Sequence, residues 1–251
     1  MSLPIAHARI SAADVLTVGN GVCGFLALAV LAQLWIAEPD DVLGHRELVA
    51  CLLLYGIGML CDVLDGPLAR WLGSSGLGSG LDTICDTVTF GLLPAMLLVA
   101  RVHEDAGWTA PALAVACAYV GATMLRLARQ AWLEHARAEA LPRGAVDTEH
   151  PEFTGMPSPV GGNCVLAVAV LAPPPVVSLA VVALVAALLV ANFPYPTNKT
   201  LVGGAFVAVL LAASFAALAG LISLDVPSAI ALVGLLPIAV VRAARSLLYG
   251  R

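Results

Sequence analysis

The chain has 251 residues, of which 60% are hydrophobic and only 12% are charged, and its mean hydropathy is +0.95. Soluble domains are roughly 45–50% apolar and about 25% charged. This composition excludes an ordinary soluble protein, and it also excludes a disordered chain, which must be polar enough to stay solvated. The formal net charge of −5 excludes the basic face that nucleic-acid binding requires. The six cysteines form no CxxC pair, which argues against a disulfide framework or a zinc site.

The apolar segments predict about eight membrane-spanning helices, because one crossing needs roughly 20 apolar residues. The predicted spans, in chain order, are 14–36, 48–70, 82–100, 110–132, 158–172, 175–192, 201–223 and 227–248. Prolines bound the short fifth span, so one broken hairpin in that region is the alternative. We therefore predict an all-α, polytopic membrane helix bundle, a single domain over 1–251 with a six-helix core and a C-terminal pair.

The placement of basic residues tests this layout. With eight spans both termini lie on one side of the membrane, and ten of the twelve Lys and Arg residues share that side. Only Arg46 and Arg101 fall on the other side. Because cytoplasmic loops carry the excess of positive charge, this distribution predicts a multi-pass protein of the cell membrane (the inner or plasma membrane) with both termini cytoplasmic.

Four aspartates interrupt the apolar pattern at the cytoplasmic ends of the second and third spans. Asp62 and Asp65 are spaced i,i+3, and Asp82 and Asp86 are spaced i,i+4, so each pair shares one face of its helix. The short glycine-rich link over residues 73–80 brings the two helices side by side. Carboxylates within a span are costly and usually serve a function. The spacing therefore predicts that the four carboxylates converge on one point.

Four like charges at one point require protons or a cation to neutralise them. An all-oxygen ligand set suits hard cations such as Mg²⁺, Mn²⁺ or Ca²⁺. Two divalent cations bridged by carboxylates are a common arrangement for displacement at phosphorus. Gly66 and Ala69 are small enough for a ligand to approach the helix backbone, and Arg70 can pair with a phosphate. The structural alternative is a charged patch that caps two helices at the membrane interface.

The stretch 62–86 resembles the signature of the CDP-alcohol phosphotransferase family, D-x2-D-G-x2-A-R-x8-G-x3-D-x3-D. Members of that family are integral membrane enzymes of phospholipid synthesis, which displace CMP from a CDP-linked lipid with an alcohol. The matching positions are Asp62, Asp65, Gly66, Ala69, Arg70, Gly78, Asp82 and Asp86. The chain departs from the pattern once, because seven residues rather than eight separate Arg70 from Gly78.

Further motifs resemble the membrane-embedded bacterial phosphatidylserine synthases, which are one branch of this family. They keep the order of that branch over roughly residues 10–200. The motifs are N-x2-C-G-F at 20–25, D-x-V-[ST]-F-G-x2-P at 86–94, R-L-A-R at 126–129, a run similar to F-x-G-L-P-[ST]-P at 153–159, and Pro-Tyr-Pro at 194–196. A second departure is Ala13-Asp14, where members of the branch often carry Pro-Asn.

The resemblance implies that CDP-diacylglycerol and L-serine react to give phosphatidylserine and CMP. It implies a site for two divalent cations, Mg²⁺ or Mn²⁺, formed by the four aspartates, with Asp86 also acting as the general base. It implies that the following residues bind CDP or lie at the edge of its pocket: Gly66, Ala69, Arg70, Gly78, Thr17 and Asn20. Contact with membrane lipids and a possible homodimer are further family expectations.

Recognition of the acceptor calls for a cation, because burying the serine carboxylate unpaired is costly. Arg126 and Arg129 are spaced i,i+3 at the cytoplasmic end of the fourth span. Both side chains can therefore point the same way, and a guanidinium binds a carboxylate through two hydrogen bonds. The spacing predicts that these arginines bind the acceptor. The alternative is that both extend to the lipid headgroups and set the topology.

Two rival functions stay open at this point. The first is the same chemistry with another acceptor, such as glycerol phosphate, inositol phosphate or another alcohol, because Arg126 and Arg129 could equally serve a phosphate. The second is a cation transporter that uses the aspartates as an ion site. That hypothesis accounts for the carboxylates, but it leaves the signature positions Gly66, Ala69 and Arg70 unexplained.

Overall fold

The computed structural model describes residues 10–37, 43–73, 75, 77–103, 107–140, 153–195, 212–214, 216–217 and 219–249. The helices within these ranges are α1 (Ala12–Ala37), α2 (His45–Leu72), α3 (Gly78–Asp86), a π-helix (Thr87–Leu92), α4 (Leu93–Val102), α5 (Thr109–Ala140), α6 (Ser158–Leu171), α7 (Pro175–Val190) and α8 (Asp225–Tyr249). Two short strands, β1 (Phe153–Thr154) and β2 (Pro194–Tyr195), pair antiparallel.

The helices confirm the predicted all-α, polytopic membrane bundle. Among the described residues, the helical segments long and apolar enough to cross a membrane are Ala12–Ile36, His45–Leu72, Gly78–Val102, Thr109–Arg137 and Asp225–Leu248. α6 and α7 are shorter apolar helices at the positions of the predicted fifth and sixth spans. Most of the predicted seventh span, 201–223, lies outside the described residues, so the total of eight stays a prediction.

The short helix α6 lies in the centre of the bundle. An unbroken run of its residues, Cys164–Ala169, is buried. The helix packs against α4, α7 and α8, so its length is not set by the thickness of the bilayer alone. After α6 the chain turns at Ala172, which has a φ of 45°, and Pro175 begins α7. The structure therefore contains two short helices here, α6 and α7, joined by a turn of three residues.

Pro94 explains why a π-helix follows the aspartates of α3. Proline has no N–H, so Pro94 cannot donate the usual helical hydrogen bond to the carbonyl of Phe90. The π-helix occupies the turn just before it, and the Tyr119 hydroxyl donates to the Phe90 carbonyl at 2.6 Å. Such π turns occur mostly inside α-helices and often at functional sites. This one begins at the residue after Asp86.

α1 approaches the π-helix closely through Gly24. A Cβ atom on Gly24 would lie 2.5 Å from Thr89 Oγ1 and 3.0 Å from Thr89 Cα. We expect Gly24→Ala to destabilise the protein by about 1–3 kcal/mol, because overpacking forces backbone shifts. The measurement is the Tm of the purified protein in detergent. Gly121→Ala is the matched control, because a Cβ there would meet no heavy atom within 4 Å. A Tm for Gly24→Ala equal to that of the control would contradict the close approach.

Candidate active site

α1 brings the two pairs of aspartates together. Both α2 and α3 pack against α1, whereas they barely contact each other. Asp62 from α2 and Asp82 and Asp86 from α3 each contribute a carboxylate oxygen, and these oxygens lie within 4.8 Å of one another. Asp86 is buried and the other two are half-buried. The convergence that the spacing predicted is therefore present for these three residues, which we call the carboxylate cluster.

Asp65 stands beside the carboxylate cluster rather than in it. Its Oδ2 accepts a hydrogen bond of 2.6 Å from the hydroxyl of Thr17, which projects from α1. The side chain of Asp65 lines the same cavity as Asp62 and Asp82. Among the described residues, three carboxylates therefore lie at one point and the fourth lies on the wall of the same cavity, and the metal site of four aspartates stays a prediction. The donor on α1, the Thr17 hydroxyl, holds Asp65 in this orientation.

Asn20 fixes the orientation of Asp86. Its side-chain nitrogen donates to Asp86 Oδ1 at 3.0 Å. The Thr89 hydroxyl, on the π-helix, donates to the backbone carbonyl of Asn20 at 2.9 Å and thereby ties the π-helix to α1. Asn20 is fully buried and does not line the cavity. Asn20 is therefore a partner of the carboxylate cluster, and its predicted contact with CDP stays a prediction.

A polar cavity of about 440 Å³ opens next to the carboxylate cluster. Most of the residues predicted to bind CDP form its wall, and Arg70 lies nearby, with Nη1 3.6 Å from the position of a Cβ on Gly66. The lining residues are Ser11, Ala13, Asp14, Thr17, Asp62, Asp65, Gly66, Ala69, Ser75, Gly78, Ser79, Asp82 and Glu134. This space is of the size that small ligands occupy in proteins.

Five polar residues of this wall were not anticipated: Ser11, Asp14, Ser75, Ser79 and Glu134. A signal for Asp14 was present, because Ser11-x-x-Asp14 has the spacing of a helix-capping box and a carboxylate is unusual at the start of a span. Glu134 lies two turns after Arg126 on α5, and it accepts hydrogen bonds from Gln130 at 2.9 Å and Ser79 at 3.3 Å. That spacing alone does not distinguish it from a solvated residue.

Arg126 faces the carboxylate cluster. Its guanidinium is buried and interacts electrostatically with Asp62, Asp82 and Asp86. Its Nη1 donates a hydrogen bond of 2.7 Å to the hydroxyl of Ser158, at the start of α6. Burial of a cation among carboxylates fits a role at the site better than contact with lipid headgroups.

Arg129 has different partners. Its Nη1 donates to the Val190 carbonyl at 3.0 Å and to Asn192 Oδ1 at 2.8 Å. Its Nη2 donates to the carbonyls of Thr154 at 2.8 Å and Leu189 at 3.3 Å. The last carbonyls of a helix lack helical partners, so Arg129 caps the C-terminal end of α7. Its predicted contact with the acceptor does not fit these bonds.

Residues of the motif at 153–159 accept hydrogen bonds from both arginines. Gly155 has a φ of +80°, and a Cβ on it would lie 2.7 Å from the Ala191 carbonyl and 3.0 Å from Arg129 Nη2, so the turn requires glycine. The Gly155 amide donates to the Phe193 carbonyl at 2.8 Å, next to the pairing of β1 with β2. The motif therefore links the ends of α5, α6 and α7 beside the site.

The chemistry of the carboxylate cluster fits a hard divalent cation. Its ligand atoms are carboxylate oxygens, which Mg²⁺ and Mn²⁺ prefer. Within the described part of the chain, no histidine or cysteine belongs to the cluster. Asp65 and the Thr17 hydroxyl lie on the adjoining wall, where further oxygen ligands could complete a coordination shell.

A polytopic helical membrane protein with an acidic cluster beside a polar cavity has the features of a membrane-embedded enzyme. A family model described as CDP-alcohol phosphatidyltransferase matches residues 10–192, and the chain belongs to this family of phospholipid-synthesising transferases. Membership in this family of transferases argues against the rival hypothesis of a cation transporter.

The names of the curated relatives indicate two different acceptors. A Bacillus subtilis protein named CDP-diacylglycerol–serine O-phosphatidyltransferase is 32% identical over 155 residues, which cover 61% of this chain and 71% of the relative. A Mycobacterium leprae protein of the same name is 35% identical over 49% of this chain and 38% of its own length. An Aeropyrum pernix protein named archaetidylinositol phosphate synthase is 45% identical over 56 residues, which cover 22% of this chain and 29% of its own length.

Proposed function

We propose that this enzyme transfers the phosphatidyl group of CDP-diacylglycerol to L-serine and releases CMP. The observation that carries the proposal is the carboxylate cluster, which adjoins a cavity lined by signature residues such as Gly66, Ala69 and Gly78. The names of the Bacillus subtilis and Mycobacterium leprae relatives support serine as the acceptor. The reaction belongs to one domain over residues 1–251, with its signature at 62–86.

In this proposal the cavity holds the cytidine diphosphate group. Gly66, Ala69 and Gly78 leave room for the nucleotide against the backbone, and Thr17 lies at the edge of the pocket. Arg70 contributes a positive charge for a phosphate. Two divalent cations, Mg²⁺ or Mn²⁺, held by the four aspartates would neutralise charge on the phosphoryl oxygens and on the departing CMP.

Asp86 is the proposed general base. The serine hydroxyl is a weak nucleophile until it loses its proton, and a carboxylate within reach can accept that proton. Asn20 donates to Oδ1 of Asp86 and so orients the carboxylate that would accept the proton. The serine oxygen attacks the phosphorus that bears the diacylglycerol group, and the bond from that phosphorus to CMP breaks.

Arg126 is the proposed partner of the acceptor carboxylate, and Arg129 is a structural residue. We expect Arg126→Lys to raise the KM for L-serine about tenfold, because a lysine cannot reproduce the paired hydrogen bonds of a guanidinium. The KM for CDP-diacylglycerol stays the same in this variant. Arg129→Lys is expected to lower the Tm, because one ammonium group cannot reach the three acceptors at the end of α7 and the fourth on β1.

Steady-state kinetics and thermal unfolding of both variants test this division. An unchanged KM for serine in Arg126→Lys would show that Arg126 does not bind the acceptor and has a purely structural role. A raised KM for serine with an unchanged Tm in Arg129→Lys would restore the original prediction that both arginines bind the acceptor.

The distribution of basic residues supports an active site on the cytoplasmic side of the cell membrane. Serine and CMP are water-soluble, and the proposed orientation gives both of them direct access to the cavity. Membrane lipids surround the bundle, and the homodimer stays a prediction.

The experiment that tests the function is CMP release from CDP-diacylglycerol by the purified protein, with and without an acceptor. The relative named archaetidylinositol phosphate synthase makes inositol phosphate the second candidate acceptor, and glycerol phosphate is the third arm. We expect CMP release with L-serine and formation of phosphatidylserine. Release with inositol phosphate alone would overturn the choice of acceptor while retaining the family reaction.

A further inference from the structure

Asp14 has no part in the proposed chemistry, yet its side chain is only 3% exposed and lines the cavity. Its Oδ2 accepts a hydrogen bond of 2.6 Å from the Ser11 amide, and its own amide lies 3.2 Å from the Ser11 hydroxyl, to which it donates. This reciprocal pair caps the N-terminus of α1. Its Oδ1 accepts a second bond, of 2.7 Å, from the hydroxyl of Ser75. That second bond leaves α1 and reaches the segment between α2 and α3.

Ser75 is in turn connected to the start of α3 by two hydrogen bonds. Its hydroxyl oxygen accepts a hydrogen bond of 3.2 Å from the Leu77 amide, and its carbonyl accepts one of 3.5 Å from the Gly78 amide. Gly78 is the first residue of α3, the helix that carries Asp82 and Asp86. A chain of hydrogen bonds therefore runs from Asp14 on α1 through Ser75 to the start of α3.

Asp14 shares a helix face with the two residues of α1 that orient the aspartates. Asp14, Thr17 and Asn20 are spaced i, i+3 and i+6, and all three are buried. Thr17 donates to Asp65 on α2, and Asn20 donates to Asp86 on α3. The bond between Asp14 and Ser75 is the third contact of this face. Because α2 and α3 barely touch each other, their relative position depends largely on their shared packing against α1.

We propose that Asp14 is a positioning residue, which acts through Ser75 to hold the start of α3 against α1 and so keeps the cavity in the form that binds the nucleotide. The inference rests on the proposed function only in taking the cavity as the CDP site. The segment in question is one residue shorter than the family pattern, and a carboxylate gives it a charge-assisted anchor, which is stronger than a neutral one.

The test separates this role from simple helix capping. Ser75→Ala removes the bond to the loop and leaves the Ser11–Asp14 pair intact, whereas Asp14→Ala removes both. We expect each variant of the full-length protein to bind CDP about tenfold more weakly in the presence of Mn²⁺, by isothermal titration calorimetry. We expect the losses in the double variant to be less than additive, because both substitutions remove the same bond between Asp14 and Ser75. Asp14→Asn keeps an acceptor but loses the charge, so its affinity is expected to lie between those of the parent and of Asp14→Ala.

The second readout is amide hydrogen exchange, which is measured without CDP and without an acceptor. We expect the peptide that contains Leu77 and Gly78 to exchange its amide hydrogens faster in Asp14→Ala and Ser75→Ala. The controls are Asp225→Ala and Ser223→Ala at the start of α8, where Ser223 donates to Asp225 at 3.0 Å in an exposed Ser–Asp pair remote from the cavity. These controls are expected to leave CDP affinity and the exchange of this peptide unchanged.

Parental CDP affinity in Ser75→Ala would overturn the proposal, and so would an equal loss of affinity in Asp14→Asn and Asp14→Ala. Unchanged exchange of the Leu77–Gly78 peptide in both variants would also overturn it. If the protein does not use serine as its acceptor, both measurements still test the role of Asp14, because CDP binding and amide exchange do not involve the acceptor.

Discussion

Asp86→Asn is expected to lower kcat for CMP release about a thousandfold while the protein still binds CDP-diacylglycerol. The amide has the shape of the carboxylate, and it can still accept the 3.0 Å hydrogen bond from Asn20. It cannot take the proton of the acceptor hydroxyl, and general-base catalysis contributes roughly 10²–10⁴-fold to a rate. The measurement is kcat at saturating serine, together with the Kd of the CDP-lipid.

Asp225→Asn is the control for the Asp86 variant. Asp225 is an exposed aspartate at the start of α8, and it does not line the cavity. Its replacement is expected to leave kcat within twofold of the parent, on the order of the ±0.5 kcal/mol typical of surface substitutions. A kcat for Asp86→Asn within about tenfold of the parent would place the base elsewhere, since the lower limit for such catalysis is roughly 10²-fold.

Removal of divalent cations is expected to abolish activity completely. The carboxylate cluster brings three acidic side chains within 4.8 Å of one another, and such a cluster needs a cation to neutralise it when ionised. Exhaustive chelation followed by millimolar Mg²⁺ or Mn²⁺ tests this dependence, and we expect either ion to restore CMP release. Zinc is not expected to restore it, because the cluster lacks the nitrogen and sulfur ligands that zinc sites usually contain.

The control for chelation is the folded state of the protein. The Tm in detergent, measured before and after chelator, distinguishes loss of catalysis from loss of structure. Asp65→Asn is a further arm, because Asp65 lines the cavity beside the cluster and is oriented by Thr17. We expect this variant to need more Mg²⁺ for half-maximal activity and to bind CDP more weakly. Full activity after exhaustive chelation would contradict the two-metal proposal.

The membrane class and most of the spans were predictable from the sequence alone. A bilayer crossing is a local property, since it needs only an apolar run of sufficient length. The positions of Asp62, Asp65, Asp82 and Asp86 on their helices were also predictable, because i,i+3 and i,i+4 spacings fix a shared face without any tertiary contact. The family followed from the same residues, because their identity and spacing form its signature.

Only the tertiary structure decided which of these groups meet. α1 is remote in sequence from Asp86, yet Asn20 on α1 bonds to that residue and Thr17 on α1 bonds to Asp65. Arg126 and Arg129 have equivalent spacing in the sequence, but packing against α6 and α7 gives them different partners.

The same holds for Asp14, whose spacing indicated no more than a helix cap. Its bond to Ser75 joins positions 61 residues apart. Local spacing determines which side chains share a helix face, and hydropathy determines which segments enter the membrane. The packing of one helix on another determines which partner each polar group finds, because a buried polar group must pair with whatever the neighbouring helix presents.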